Sequence, residues 1–224
     1  MLSNASLSST RSYIDAPAQT YTPTLSYKGW LRKRLFDIAF SLIISICILL
    51  WLIPLLGLAI KINSPGPILF VQLRSGRNGR QFRCFKLRTM VMRNDVVFQQ
   101  ATRDDPRVTK LGKLLRKTNL DELPQFLNVL LGDMSLVGPR PHPIPLDAQH
   151  WHTTPKYTER YSVKPGITGL AQVRGCQGET DTLMKMTHRV RLDRWYIANR
   201  SFGFDLKICW WTITKMLQGD DKAH

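Results

Sequence analysis

Asp37-Ile38-Ala39-Phe40-Ser41-Leu42-Ile43-Ile44-Ser45-Ile46-Cys47-Ile48-Leu49-Leu50-Trp51-Leu52-Ile53-Pro54-Leu55-Leu56-Gly57-Leu58-Ala59-Ile60-Lys61 carries charge only at its two ends. As an α-helix the uncharged run of about 23 residues extends about 35 Å, enough to cross the hydrocarbon core of a bilayer. Arg32-Lys33-Arg34 precede it, and Lys61, Arg74 and Arg77 follow. Positive flanks mark the cytoplasmic side, so basic residues at both ends argue against one internal and one external end. Pro54 has no N–H to donate, and a kink or break is expected there. A helix that enters the membrane, turns and leaves by the same face satisfies both facts. The alternative is a tilted single-pass helix; a buried helix of a soluble core would need apolar protein on every side.

Outside this run the chain is strongly basic. It has 224 residues, with 32 Lys+Arg against 16 Asp+Glu, a formal charge of +16. That excess points to an anionic partner: nucleic acid, an acidic membrane face or a phosphorylated substrate. The cations are scattered from Arg32 to Lys215, which favours a folded basic surface over a polybasic arm. Cys47, Cys84, Cys176 and Cys209 form no C-x-x-C pair, so neither a zinc-site spacing nor a disulfide framework has support, and a reducing compartment is the simplest setting. The first apolar run begins only after residue 35, so no signal peptide is read.

Residues 1–31 are Ser/Thr/Pro-rich and read as a flexible tail. After the apolar run, Asn63-Ser64-Pro65-Gly66-Pro67 reads as a turn. Ile68–Val71 and Phe82–Leu87 read as strands of a hairpin turning at Ser75–Arg80. Helices are expected over 91–100, Val108–Lys117, Gln125–Leu131 (capped by Gly132), Asp181–Asn199 and Leu206–Leu217. The segments around Gly138-Pro139-Arg140-Pro141, His150-Trp151-His152 and Lys164–Gly169 read as loops. Trp210 and Trp211 beside Lys207 and Lys215 suit either a membrane interface or a packed core.

Asp121 and Glu122 are adjacent carboxylates between two basic segments. Pro124 is tolerated only near a helix start, which puts the pair in or just before a first turn, where backbone N–H groups favour negative charge and attract phosphate. Both are expected to be ionised. Side chains adjacent on a helix point about 100° apart, so one can face a reacting phosphorus and the other a metal. A pair that merely caps the helix is the plainer reading of these two residues alone. Arg116 and Arg140 are suited to a diphosphate because guanidinium groups donate in planar pairs, and prolines on both sides stiffen Arg140. Lys86 and Arg88 share one strand face and are either solvated or phosphate-facing.

Lys33-Arg34-Leu35-Phe36-Asp37, Ser64-Pro65-Gly66-Pro67, Phe85–Met90, Asp105-Pro106-Arg107-Val108-Thr109, Leu120–Gln125, Gly132–Pro141 and Lys164–Gly169 together resemble the bacterial sugar transferases, the monotopic polyprenyl-phosphate phosphoglycosyl transferases. The resemblance runs from about residue 32 to the C-terminus. It implies an α+β class: a mostly helical, membrane-associated catalytic domain with a small β-hairpin and an N-terminal re-entrant membrane helix. Residues 32–62 would be that helix and 63–224 the domain on the cytoplasmic face of a bacterial inner membrane. It further implies Asp121 as nucleophile, Glu122 as the partner carboxylate associated with Mg²⁺, Arg116 and Arg140 as phosphate-handling arginines, and Asp193, in Leu192-Asp193-Arg194-Trp195-Tyr196, as a further active-site acid. Lys86 and Arg88 join them as candidate phosphate ligands. The substrates implied are a UDP-hexose and undecaprenyl phosphate, with membrane lipid around the helix, no nucleic acid, and a homodimer as one assembly. The family usually breaks its membrane helix with Ser-Pro about one turn earlier; here Leu50-Trp51 stand at that point and Ile53-Pro54 lie further on. Gly178-Glu179-Thr180-Asp181-Thr182 resembles members that transfer hexose 1-phosphate, which implies glucose or galactose before an N-acetylated sugar. The rivals from other classes are a membrane-tethered nucleic-acid-binding module, motivated by the charge, and a catalytically silent scaffold. Against the first, aromatic and basic residues do not recur as a stacking platform or recognition helix.

Overall fold

Helix runs without a gap from Tyr27 to Asn63 in the computed structural model, which describes residues 27–92, 100–102, 105–176, 178 and 182–218. The run comprises α1 (Tyr27–Ile44), a π-helical segment (Ser45–Leu49) and α2 (Leu50–Asn63). Within it Gly29–Asn63 is long and apolar enough to cross a membrane by length and composition. The helix begins at Tyr27, ahead of the boundary expected at 32. Pro54 does not break it; α2 continues through the proline, and the irregularity lies upstream at Ser45–Leu49. A π-segment widens the turn by one residue and is a recognised place for a helix to bend.

Both halves of this helix dock onto the same folded body. In α1, Arg34 donates to the carbonyls of Val129 (2.8 Å) and Leu130 (3.4 Å). Buried Asp37 accepts from Ser135 Oγ (2.7 Å) and from the Leu136 N–H (3.2 Å). In α2, Ile60 is 2% exposed and packs with Leu87 and Leu115, while Ile53 and Leu56 flank the same cluster. One face of the middle is open: Ile46, Leu50, Trp51, Leu55 and Leu58 are all more than half exposed, while Leu49 is buried.

Strands β1 (Leu69–Ser75) and β2 (Gln81–Leu87) pair antiparallel from Leu69 opposite Leu87 to Ser75 opposite Gln81. The intervening turn takes positive φ at Asn78 and Gly79, residues that tolerate it. Thr109 caps α3 (Lys110–Lys117) by accepting from Gly112 N–H. Gly112 sits so close to the Thr89 carbonyl that a Cβ there would stand 2.0 Å from the oxygen; α3 therefore lies flat on the end of the hairpin only with glycine. A single turn of 3₁₀ helix (Leu120–Glu122) leads to α4 (Gln125–Leu131), which ends at Gly132 with φ 94° as expected.

The remainder contains structure where loops were expected. β3 (Ser135–Val137) and β4 (Gly166–Thr168) form a two-stranded parallel pair. Three residues each is too short for strand periodicity to show in sequence. The pair needs glycine: a Cβ at Gly166 would meet the Gly138 nitrogen at 2.1 Å. α5 (Ile144–His150) takes in the first of the two histidines read as a loop, and a 3₁₀ segment covers Tyr157–Ser162. Short α6 (Leu170–Val173) precedes α7 (Leu183–Asn199) and α8 (Phe202–Gln218). The main core joins Leu136, Val137, Leu170, Val173, Tyr196 and Ile208 under α7 and α8, each such side chain stabilising by about 1.5–3 kcal/mol. The two tryptophans of α8 divide: Trp210 is largely exposed, and Trp211 packs on Phe204 beneath Lys207 and Arg174. The expected tail up to residue 26, most of the expected 91–100 helix, and Glu179-Thr180-Asp181 of the sugar-related segment lie outside the described residues.

Candidate active site

Three elements converge on the dyad. Lys86 comes from the end of β2, Asp121 and Glu122 from the 3₁₀ turn, and Arg140 from the loop after β3. Asn119 takes the left-handed conformation (φ 55°) and turns the chain from α3 into that 3₁₀ segment. Glu122 is held by two cations at once. Lys86 Nζ donates to its Oε1 at 2.6 Å, Arg140 Nη1 donates to its Oε2 at 3.0 Å, and Arg140 Nη2 also donates to Oε1. Asp121 is only 7% exposed, yet its carboxylate accepts no hydrogen bond among the described residues. Arg116, at the end of α3, lies near enough to feel the Asp121 charge while its Nε donates to Thr89 Oγ1 at 2.9 Å.

This environment drives the two carboxylates apart. Burial raises the pKa of Asp121, and the charge on Glu122 adds to it, against the opposing pull of Lys86, Arg116 and Arg140. Burial acts on Glu122 in the same direction but is outweighed by Arg140 and Lys86, which hold it well below the usual carboxylate range. Arg140 is raised in return, because Glu122 outweighs its own burial. Two like groups with divergent environments are suited to divided labour: Glu122 is a fixed anion neutralised by its partners, and Asp121 is a buried carboxylate without a hydrogen-bond partner among the described residues. Reasoning from the helix terminus gave both the same ionised state because burial is not visible in two adjacent letters.

Arg140 is positioned by more than its prolines. Its own carbonyl accepts from Arg160 Nη2 at 2.7 Å, Arg74 Nη1 donates to the Pro141 carbonyl at 2.7 Å, and the Gly138 N–H donates to Thr168 O at 2.9 Å. Arg160 is in turn fixed by Asp193 (Nε to Oδ2, 2.7 Å) and stands 3.0 Å from His142 Nδ1. Burial and the surrounding Arg160, Arg189, Arg74 and Arg140 keep His142 well below its ordinary pKa and hence neutral. Sequence reasoning named Arg74 only as a basic flank of the apolar run and did not single out His142 or Arg160, which belong to none of the motifs quoted above.

The structure therefore brings Lys86, Arg116, Asp121, Glu122 and Arg140 together. Arg88 lies apart from them: its Nη2 donates to the Ser64 carbonyl at 2.7 Å and its Nη1 to the Pro65 carbonyl, locking the end of α2 to the hairpin. Asp193 is buried against Arg160 and reaches the dyad only through Arg140. Asp105 accepts from the backbone and guanidinium of Arg107, which brings its carboxyl down to about 2, and the Thr109 N–H donates to Thr89 O at 3.0 Å. That loop supports Thr89, the residue on which Arg116 rests.

Because Lys86 lowers the pKa of Asp121, Lys86→Met is expected to raise it further. For any reaction that needs Asp121 ionised, the acid limb of the pH–rate profile then moves to higher pH than in the unmodified protein, and rate lost at low pH is recovered as pH increases. Initial rates between pH 5 and 9 test this; an unmoved limb would show that the limb is not Asp121.

A family model described as bacterial sugar transferase matches residues 28–219. The chain is 50% identical over 199 residues to the UDP-glucose:undecaprenyl-phosphate glucose-1-phosphate transferase of Escherichia coli, covering 87% of this chain and 42% of that protein. It is 47% identical over 192 residues to the protein of the same name from Caulobacter vibrioides, 85% of this chain and 72% of the relative. An Aeromonas hydrophila UDP-N-acetylgalactosamine-undecaprenyl-phosphate N-acetylgalactosaminephosphotransferase is 44% identical over 163 residues, 71% of this chain and 38% of the relative. The chain thus spans about two fifths of the E. coli protein and about seven tenths of the Caulobacter one.

Proposed function

The chain belongs to the bacterial sugar transferase family, and from that premise we propose that it transfers glucose 1-phosphate from UDP-glucose to undecaprenyl phosphate, releasing UMP, as the membrane step that begins exopolysaccharide synthesis. The observation that carries the chemistry is a buried carboxylate, Asp121, without a hydrogen-bond partner among the described residues, set beside three cations and a neighbouring carboxylate already neutralised.

An oxygen of Asp121 attacks the β-phosphorus of the donor. The bond from that phosphorus to the bridging oxygen breaks, UMP departs with the electron pair, and glucose 1-phosphate remains esterified to Asp121. An oxygen of undecaprenyl phosphate then attacks the same phosphorus and the carboxylate leaves. Both nucleophiles are anions, so neither step needs a base. The burial that raises Asp121 also strips water from its carboxylate. Arg116 and Arg140 are placed to neutralise the diphosphate, which turns on Arg140 and Lys86 exchanging part of their hold on Glu122 for phosphate oxygens.

Asp121 and Glu122 supply hard oxygen donors of the kind Mg²⁺ takes when it shares its shell with substrate phosphates. A cage of three or more His, Cys, Asp or Glu is absent among the described residues, which fits an ion shared with the donor better than a resident one. When bound, it would supply charge neutralisation at the diphosphate.

The docking of both halves of the apolar helix on one body supports the re-entrant reading. A straight helix spanning the bilayer would separate Asp37 from Ile60 by about 35 Å and place them at opposite faces, whereas both are buried in the same domain. With both ends of the helix on one face, the basic flanks Arg32-Lys33-Arg34 and Lys61 support a dyad on the cytoplasmic side, where UDP-sugars are.

The test is the purified chain in detergent with undecaprenyl phosphate, Mg²⁺ and one of UDP-glucose, UDP-galactose, UDP-N-acetylglucosamine or UDP-N-acetylgalactosamine. UMP is expected with UDP-glucose. Release from the N-acetylated donors alone would overturn the hexose assignment in favour of the chemistry named for the Aeromonas relative.

A further inference from the structure

A cationic cavity lies away from the dyad, at the opposite end of α4. Its volume is about 390 Å³, and its lining shares no residue with the active site. Five cations border it, Lys33, Arg34, Arg77, Lys164 and Arg200, with Asp37 the lining carboxylate. Two of the cations are committed elsewhere: Lys33 pairs with Asp205 at 2.7 Å, and Arg34 is spent on the α4 carbonyls. Arg77 and Lys164 differ. The Arg77 Nε is buried and without a partner, and Lys164 makes no hydrogen bond or ion pair among the described residues. Burial and the neighbouring charges of Arg34 and Arg77 lower the pKa of Lys164, outweighing the opposite pull of Asp37 and Asp133, so cations dominate its surroundings. An unpaired buried guanidinium nitrogen costs about 1–3 kcal/mol, and an anion bound between Arg77 and Lys164 would offset that cost.

The other lining groups indicate the kind of anion. Trp30, Val137, Val163 and Tyr196 give the cavity apolar walls. Trp30 also stands at the start of the long apolar helix, whose exposed Leu31, Leu35 and Ile38 follow directly. A phosphate group with apolar substituents, located where that helix meets the membrane surface, matches both features.

We propose that this cavity binds the phosphodiester headgroup of an anionic membrane phospholipid through Arg77 and Lys164, with the acyl chains running along the exposed face of α1. The proposal rests on the membrane-bound reading of the helix and is independent of the sugar transferred.

The full chain, purified in a zwitterionic detergent, is titrated with dihexanoyl phosphatidylglycerol, dihexanoyl phosphatidylcholine, inorganic phosphate and UMP, with UMP release from UDP-glucose measured on the same preparations. Phosphatidylglycerol is expected to bind at least about tenfold more tightly than phosphatidylcholine or inorganic phosphate. Arg77→Gln with Lys164→Gln is expected to abolish that preference while UMP release in excess detergent continues, which shows that the variant is folded. Arg77→Lys with Lys164→Arg should preserve the preference. Equal binding of phosphatidylglycerol to the wild type and the glutamine pair would overturn the site. Inorganic phosphate or UMP saturating the cavity as tightly as phosphatidylglycerol would overturn the lipid in favour of a soluble phosphate. Intact lipid preference in a wild-type protein that releases no UMP would instead count against the transferase reading alone.

Discussion

Asp121→Asn is expected to lose UMP release by at least about 10³-fold while the protein melts at the same temperature as the wild type or higher. Both halves of this result come from one fact. Burial raises the pKa of Asp121, so folding at neutral pH holds an ionised carboxylate in surroundings that favour its ionisation less than water does. The sign follows from linkage. A carboxyl with a raised folded-state pKa favours the folded state most when protonated, and its contribution declines as pH rises through the shifted value. The amide is isosteric and uncharged, so it removes that liability along with the nucleophile. A residue that merely capped α4 would behave in the opposite way, losing about 1 kcal/mol of stability and little activity. Thermal melts of both proteins at pH 5 and pH 8 decide between the two: the advantage of the asparagine variant should grow with pH. Incubation with UDP-glucose labelled in the sugar, without lipid acceptor, should label the wild type and leave the variant blank. An active Asp121→Asn protein would remove the covalent route altogether.

Much of this site could be read from the chain because its parts are local. Leu120–Gln125 contains both carboxylates and the proline that places them before a helix, and α4 runs from Gln125 to Leu131 as the apolar spacing and Gly132 require. The hairpin was legible from its alternation and its Asn78-Gly79 turn. What escaped reading depends on contacts between distant segments. β3 and β4 are three residues each and owe their pairing to backbone approach at Gly138 and Gly166. Pro54 signals a kink or break; the helix continues through it without breaking, and its irregular turn lies at Ser45–Leu49, where the letters Ser-Ile-Cys-Ile-Leu contain no breaker. The charge excess was the most general clue and the most ambiguous. Arg34, Arg74, Arg88 and Arg160 each donate to backbone carbonyls inside the protein. Part of the basic character therefore builds the scaffold and does not face an external polyanion, which weakens the motive for a nucleic-acid-binding module.

The second large effect is expected at Asp193. Asp193→Leu should destabilise the protein by about 3–5 kcal/mol, because it leaves the Arg160 guanidinium buried with its main counter-ion gone. Arg160→Leu should cost a similar amount by stranding Asp193. The double variant Arg160→Leu/Asp193→Leu should recover most of that loss, since a buried pair exchanged for apolar side chains is often close to neutral. Activity should not recover with it. Arg160 Nη2 is the donor to the Arg140 carbonyl, so the stable double variant still lacks the contact that fixes the arginine facing Glu122. Its defect is expected as a rise of about tenfold or more in KM for UDP-glucose, with kcat falling less, because Arg140 is still present but less well placed. Urea unfolding together with steady-state kinetics on the three proteins separates the roles. An Asp193→Asn protein as stable as the wild type yet as inactive as Asp121→Asn would make Asp193 an acid of the reaction itself. Loss of stability in each single variant, its return in the double, and a persistent KM defect would make Asp193 the anchor of a relay that runs through Arg160 to Arg140, with the chemistry left to Asp121.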